Sequence, residues 1–379
     1  MKFVEKWFKR ALFGFFRLFI HARTVTTVTR DSVRNVLVVR QHNQLGDMLC
    51  AVPLLRALRA TYPTAHIALL ARPLNSEILR GAPYLDEIIV YDKAKFLRNP
   101  LQVWRFGRAL KQRNFDLALT PSTVSMSVTS DVLTFLSGAR RRIGPGSING
   151  KRNHTSYFYN VRAELDWRQD PTRHQTERNI DVASILVLEP VARDLEIGLS
   201  DEERQRGAEQ IARKRSDDGL VVGFHPGAAK IPNRWDALHF AEIANRCAEI
   251  FGAFIVITAG PNDDDPLHEM TLNMPNACLV MHNESIRQVA AVIANCDVYV
   301  TNDTGMMHVS AGVGTPTLSL FGPTDPLQWA PPGAAHRFIL GAAGDVNSIS
   351  PEKVWQVLIG MLRAAERRNA RADTIEQTR

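Results

Sequence analysis

Apolar residues along this chain fall into short β-branched runs separated by segments of helical spacing. Val36–Val39 is an apolar run followed by the polar turn Gln41–Asp47. Leu49, Val52, Leu55 and Leu58 then recur at the interval of one helix face. Ile67–Leu70, Glu87–Val90 and Leu117–Thr120 read as further strands, and 100–113 has helical periodicity through Leu101, Val103, Trp104, Phe106 and Leu110. A helix is expected over 174–188. Residues 138–180 are rich in Arg, Gly, Asn and His and give no clear period.

A charged segment at 189–218 carries Ser200-Asp-Glu-Glu203, a capped helix start, and reads as the connection between two domains. A second series follows: strands at Leu220–Phe224, Ala253–Thr258, Val298–Thr301 and Thr317–Phe321, and helices at Ala237–Ile250, Ile286–Ile293 and Met306–Val313. The last helix is expected near 351–364, opened by Ser350-Pro351-Glu352, with a polar, frayed end at 365–379. Strands alternating with helices imply mostly parallel sheets covered on both faces.

With 379 residues the chain exceeds one ordinary core, so two domains of roughly 150–200 residues are expected. The reading is an N-terminal helix at 1–30, a first Rossmann-like domain at 31–195, a second at 196–350, and a C-terminal helix and tail at 351–379. A hydrophobic content of 45% and a charged content of 22% suit a globular protein. Cys50, Cys247, Cys278 and Cys296 lack CxxC spacing, which argues against a disulfide framework or zinc site and suits a reducing cytoplasm. No carboxylate pair with metal spacing stands out, so neither metal nor cofactor is expected.

The net charge of +7 is uneven. Residues 1–23 hold six Lys/Arg, one Glu and seven aromatics. On a helix, Lys2, Lys6, Lys9, Arg10 and Arg17 gather on one arc and Phe3, Val4, Trp7, Phe8, Ala11, Phe15 and Leu18 on the other, although Phe13 and Ile20 fall on the basic side. That is the pattern of a helix lying on an anionic membrane surface; the plainer reading is a helix packed on the protein itself. Basic residues interrupt any signal-peptide core, and no run of about 20 apolar residues exists to span a bilayer. With the excess charge in a tail, nucleic-acid binding is not expected.

Four strand-end turns carry candidate chemistry. Arg40-Gln-His-Asn-Gln-Leu-Gly46-Asp47 follows the first strand, where open α/β sheets bind ligands; Asp47 opens a helix and also suits a plain capping role. Gly223-Phe-His225-Pro226-Gly227-Ala-Ala-Lys230-Ile-Pro-Asn233-Arg234-Trp235 combines glycines with two cations before a helix, a setting for a diphosphate or for solvated cations in a turn. Thr258-Ala-Gly260-Pro261-Asn-Asp-Asp-Asp265 is an acidic strand end suited to ribose hydroxyls or to simple turn chemistry. Asn302-Asp303-Thr304-Gly305 lies between a strand and a helix start, with His308 one turn on. Exposed N–H groups and the helix dipole make that an anion site. The Walker A and G-x-G-x-x-G patterns are not met.

Taken in order, these stretches resemble glycosyltransferase family 9, the ADP-heptose:lipopolysaccharide heptosyltransferases. The anchors are LGDMLCAVPLLRALRATYP (45–63), GFHPGA with NRWDALHFAEIA (223–244), AGPNDDD (259–265) and DTGMMHVSAGVGTPTLSLFGPTDP (303–326), and the resemblance runs from about 35 to 364. It implies a GT-B architecture, two Rossmann-like domains facing across a cleft. It also implies an inverting transfer of a heptose, from ADP-heptose in the second domain to a lipid-linked lipopolysaccharide-core acceptor in the first, at the cytoplasmic side of the inner membrane.

On this resemblance Asp47 is the general base, contributed from the other domain to the donor site. Gly46, Gln44 and Asn43 lie on the acceptor side. Asp303, Thr304, Gly305 and His308 hold the donor diphosphate; His225, Gly227, Gly260 and Asp264 (or Asp263) hold the nucleotide. The family pattern has a lysine two residues before the tryptophan. Here that position is Asn233, leaving Lys230 or Arg234 as the substitute. Two rival readings share the architecture: a transferase or epimerase using a UDP- or GDP-sugar, and an inactive nucleotide-sugar-binding relative.

Overall fold

The computed structural model describes residues 32–41, 44–93, 100–215, 218–274 and 278–377, with side chains given to 371. The basic aromatic segment 1–23 and the acceptor-side Asn43 lie outside these residues. The chain divides into two compact units. The first ends at residue 193, and the second takes 194 onward together with two short pieces, 44–49 and 77–81.

In the first unit, strands β1 (Asn35–Arg40), β2 (His66–Ala71), β3 (Glu87–Val90), β4 (Leu117–Leu119) and β5 (Arg141–Ile148) form a parallel sheet in the order β3-β2-β1-β4-β5. The segment that gave no clear period supplies the rest: β6 (Lys151–Arg152) turns back antiparallel on β5, and β7 (Val161–Leu165) pairs parallel with β5 across a bulge at Pro145/Ser147. Leu37, Val39, Ala68, Leu70, Leu110, Phe115 and Leu133 build one face of its core. The helix expected over 174–188 is shorter, Gln175–Asp181 followed by a single turn at Ser184–Leu186.

The second unit holds β8 (Val221–His225), β9 (Phe254–Ala259), β10 (Cys278–His282), β11 (Val298–Asn302), β12 (Thr317–Phe321) and β13 (Arg337–Leu340), all parallel, in the order β10-β9-β8-β11-β12-β13. Counted within the unit this is 3-2-1-4-5-6, the doubly wound dinucleotide-binding order. Strands β8, β9, β11 and β12 are buried along their whole length, as expected when helices cover both faces. Helix Ala237–Phe251 is capped by Asp236, whose side chain accepts from Leu238 N at 2.9 Å, and ends at Gly252, whose φ of 61° suits glycine.

Ser200 and Glu203 form the expected capping box on helix Asp201–Ala212. The acidic stretch at 263–265 is not only a loop, because a helix starts at Asp264 and runs to Leu272. The C-terminal helix, expected to stop near 364, runs from Pro351 to Gln377. Among the described side chains apolar burial ends at Ala365, and most residues beyond, chiefly Glu, Arg and Ala, are good helix formers, so the helix continues past the last buried apolar position.

Candidate active site

Strands β8 and β11 are neighbours, with Thr301 opposite His225, and the chain leaves them toward opposite edges of the sheet. The crevice beyond their carboxyl ends is therefore the topological switch point, where open α/β sheets bind ligands. Two of the sequence motifs meet there because each is the turn that follows one of these strands.

Asn302, at the end of β11, ties the turns together. Its Nδ2 donates to the carbonyls of Pro226 and Gly227 at 2.9 and 3.2 Å, and its Oδ1 accepts from Trp235 N at 3.0 Å. Trp235 is buried edge-on against Phe240 and donates from Nε1 to Ile349 O at 2.8 Å. A fully buried asparagine is stable only if its amide is satisfied, and here all three bonds go to backbone of the site's own loops. The sequence places Asn302 in the turn without giving it a role of its own; a polar residue ending an otherwise apolar strand is the signal that marks it.

Asp303 follows. Asn233 Nδ2 donates to its carboxylate at 2.9 Å and to its carbonyl at 3.2 Å. Burial pushes the Asp303 carboxyl above its ordinary range, while the Thr324 hydroxyl bond and the charge of Lys230 draw it back. Thr304 caps helix Gly305–Gly312, its Oγ1 accepting from Met306 N at 3.0 Å. His308 is buried on that helix, with its ring edge-on to Trp329 at 6.4 Å.

Asp47 lies in the first turn of the short helix Leu45–Leu49 and is almost fully buried. By its contacts this helix belongs to the second unit, packed on helix Gly305–Gly312, although its sequence follows β1 of the first. The expectation that Asp47 reaches the site from the other domain is corrected to that extent. Two glycines make the approach possible. A Cβ on Gly46 would lie 2.7 Å from His308 Cδ2, and one on Gly305 would lie 3.0 Å from Leu45 Cβ. Gln44 is exposed just before this helix, its carbonyl accepting from Met48 N.

A second group of predicted residues buttresses the turn after β8. His225 Nδ1 lies 2.8 Å from the Thr258 carbonyl, which can only accept, so Nδ1 carries the proton. Burial holds His225 below its ordinary pKa, hence neutral. Asp263 accepts from Gly260 N at 2.9 Å and lies 3.8 Å from His225 and 3.7 Å from Arg234. A Cβ on Gly227 would fall 2.1 Å from Asp263 Cγ, so the turn and this carboxylate are in contact. Asp264, the first choice for the ribose, is exposed and pairs with His282 at 2.9 Å, away from this cluster. The buried carboxylate behind Gly227 and Gly260 is Asp263.

The helix start bearing the Asp47 carboxylate is set against a second helix start, capped by Thr304, whose exposed N–H groups and dipole suit an anion. The sequence profile of glycosyltransferase family 9 (heptosyltransferase) matches residues 103–354. The chain belongs to this family. It is a glycosyltransferase with the GT-B fold of two parallel-sheet α/β domains. The chain is 28% identical over 302 residues to lipopolysaccharide heptosyltransferase 2 of Escherichia coli K12, covering 76% of this chain and 82% of that one. The solved family 9 transferase of Veillonella parvula superposes with a TM-score of 0.78 at 21% identity, covering 90% of this chain and all of that one. An E. coli heptosyltransferase solved with ADP superposes at 0.69 and 20% identity, covering 86% and 99%. These two structural likenesses speak for the fold.

Proposed function

We propose that this family 9 transferase moves a heptose from ADP-heptose to a lipopolysaccharide-core or related glycan acceptor, with inversion at the anomeric carbon. The observation that carries the reading is the packing of the Gly46-Asp47 helix start on the Thr304–His308 helix start at the switch point of the second sheet. Family membership and the ADP-bound relative support the donor; the lipopolysaccharide heptosyltransferase relative supports the acceptor class.

In this mechanism an acceptor hydroxyl oxygen forms a bond to the anomeric carbon of the donor. The bond from that carbon to the diphosphate oxygen breaks, and its electron pair leaves with ADP. A sugar hydroxyl is too weakly acidic to attack at neutral pH unaided, so Asp47 accepts its proton in the transition state. The helix start at Thr304–Gly305, with His308 beside it, receives the developing charge of the leaving group. Asp303, held by Asn233, keeps the Thr304–Gly305 backbone in place. Asp263 behind Gly227 and Gly260 shapes the nucleoside end of the site, and Gln44 and Gly46 lie on the acceptor side.

The basic aromatic segment 1–23 brings the enzyme to the anionic cytoplasmic face of the inner membrane, where a lipid-linked acceptor is at hand. Among the described residues no helix is long and apolar enough to cross a membrane. Removal of residues 1–23 is expected to abolish cosedimentation with anionic liposomes without changing Tm.

The donor is tested by a thermal-shift comparison of ADP, UDP, GDP and their sugars, since a ligand of the native state raises Tm. ADP and ADP-heptose are expected to give the largest shifts, and ADP-heptose with a heptose-free core acceptor to yield ADP and an inverted glycoside. A larger shift with UDP or GDP would move the assignment to another nucleotide-sugar. Tight ADP binding with no transfer to any core acceptor would leave an inactive binding relative.

A further inference from the structure

We propose that Lys230 is the cation that grips the donor diphosphate in this chain, in place of the lysine that the family pattern puts at position 233. This deepens the donor assignment above and rests on it.

Segment 223–235 offers two cations apart from His225, and the structure treats them differently. Arg234 is spent on the backbone: its Nε donates to Ala228 O at 2.7 Å and its Nη2 to Asn262 O at 2.9 Å, with Asp263 3.7 Å away. These bonds tie the turn after β8 to the turn after β9, and a guanidinium so bound is not aimed at a ligand. Asn233 is equally committed. It is buried, and its amide donates twice to Asp303. The residue at the family's lysine position therefore holds the aspartate of the Asp303-Thr304-Gly305 turn with a neutral group and brings no charge of its own.

Lys230 is the opposite case. It is exposed, and among the described residues its ammonium has no hydrogen-bond or ion-pair partner. Its carbonyl accepts from Asn233 N at 3.0 Å, closing the single turn Ile231–Asn233. That turn is anchored to Asp303 by the Asn233 side chain, so Lys230 stands at the head of a short rigid bridge ending on the anion-binding turn. Its charge is felt at Asp303.

The need for such a cation follows from the charges. Asp303 is a half-buried carboxylate beside the anion site, and a diphosphate bringing two or three negative charges is repelled by it unless a positive group stands close by. An ammonium at the end of a flexible four-carbon stem serves as a point charge for phosphate and follows the leaving diphosphate as its charge grows.

Calorimetry on the full chain compares ADP with adenosine for the wild type, Lys230→Gln and Lys230→Arg. Lys230→Gln is expected to weaken ADP by about 10- to 100-fold, the range for a lost hydrogen bond to a charged group, with adenosine affinity unchanged. Lys230→Arg should retain most of the affinity, and the salt dependence of ADP binding should flatten in Lys230→Gln. Equal ADP affinity in Lys230→Gln and wild type would overturn the assignment while leaving the donor reading intact. A parallel loss of adenosine affinity would also overturn it, by placing the effect on the nucleoside pocket. Failure of the wild type to bind any nucleoside diphosphate would instead remove the donor reading itself.

Discussion

Gly46 lies against the imidazole of His308, so close that a methyl group on Gly46 would sit 2.7 Å from Cδ2 and 2.9 Å from Nε2. The contact joins the helix that carries Asp47 to the helix that follows the anion-binding turn. Its consequence is geometric: the spacing between these two helix starts depends on one hydrogen atom in place of a side chain.

Gly46→Ala is accordingly expected to push the Asp47 helix away from helix Gly305–Gly312. A misplacement of about 1 Å can cost roughly 100-fold in turnover. Steady-state kinetics beside a melting curve checks this; kcat should fall by about that factor with a small change in Tm. Wild-type kcat in the alanine variant would show that the close approach does not matter to chemistry.

Asp47→Asn keeps the shape of the residue and removes its basicity. Turnover should drop by about 10²- to 10⁴-fold, the usual contribution of general base catalysis. ADP affinity measured by calorimetry should stay within about twofold, since this carboxylate is assigned to the acceptor hydroxyl. A variant that turns over normally excludes Asp47 as the base.

Asn302 separates two substitutions that simple size arguments would rank together. Asn302→Ala leaves two carbonyls and the Trp235 N–H without their partner, at about 1–3 kcal/mol for each buried group orphaned. Asn302→Asp instead faces those carbonyls with a carboxylate that cannot donate to them. The aspartate is therefore expected to melt lower than the alanine at neutral pH and to recover as acid protonates it. Equal Tm values across pH 5–8 would contradict this.

The Glu203 carboxyl is held down to about 2, chiefly by its hydrogen bond from Arg287, whose other N–H groups donate to the carbonyls of Ile78, Arg80 and Gly198. A carboxyl depressed in the folded state stabilises it fully above its ordinary value of 4.5, and that contribution is lost as pH falls toward 2. Urea midpoints measured from pH 6 to 3 should thus fall less steeply for Glu203→Gln than for the wild type. Parallel curves would show that the pair does not govern the acid limb.

Much of this was legible in the sequence because its signals are local. Glu87–Val90, Ile286–Ile293 and Thr317–Phe321 have the bounds read from hydrophobic pattern alone. Ser200 and Glu203 announced their capping box three residues apart. β5 to β7 were illegible since β5 contains Gly144-Pro145-Gly146 and a bulge, and β6 is only two exposed basic residues. Asp263 and Asp264 cannot be ranked from a run of three aspartates; one residue of helix phase buries the first behind Gly260 and exposes the second beside His282.

By itself, then, the sequence determined the two βα series and the four strand-end turns that carry polar chemistry, since strand, helix and turn preferences act over a few residues. It determined the family by the order of those turns. Only the tertiary structure decided that the helix bearing Asp47 packs on the one starting at Gly305, and that Asn302 locks the turns after β8 and β11 together. The same holds for the division of labour between Arg234, bound to backbone, and Lys230, left with its charge exposed. These are matters of close approach and hydrogen-bond satisfaction between segments far apart in the chain, and no local pattern encodes which donor meets which acceptor.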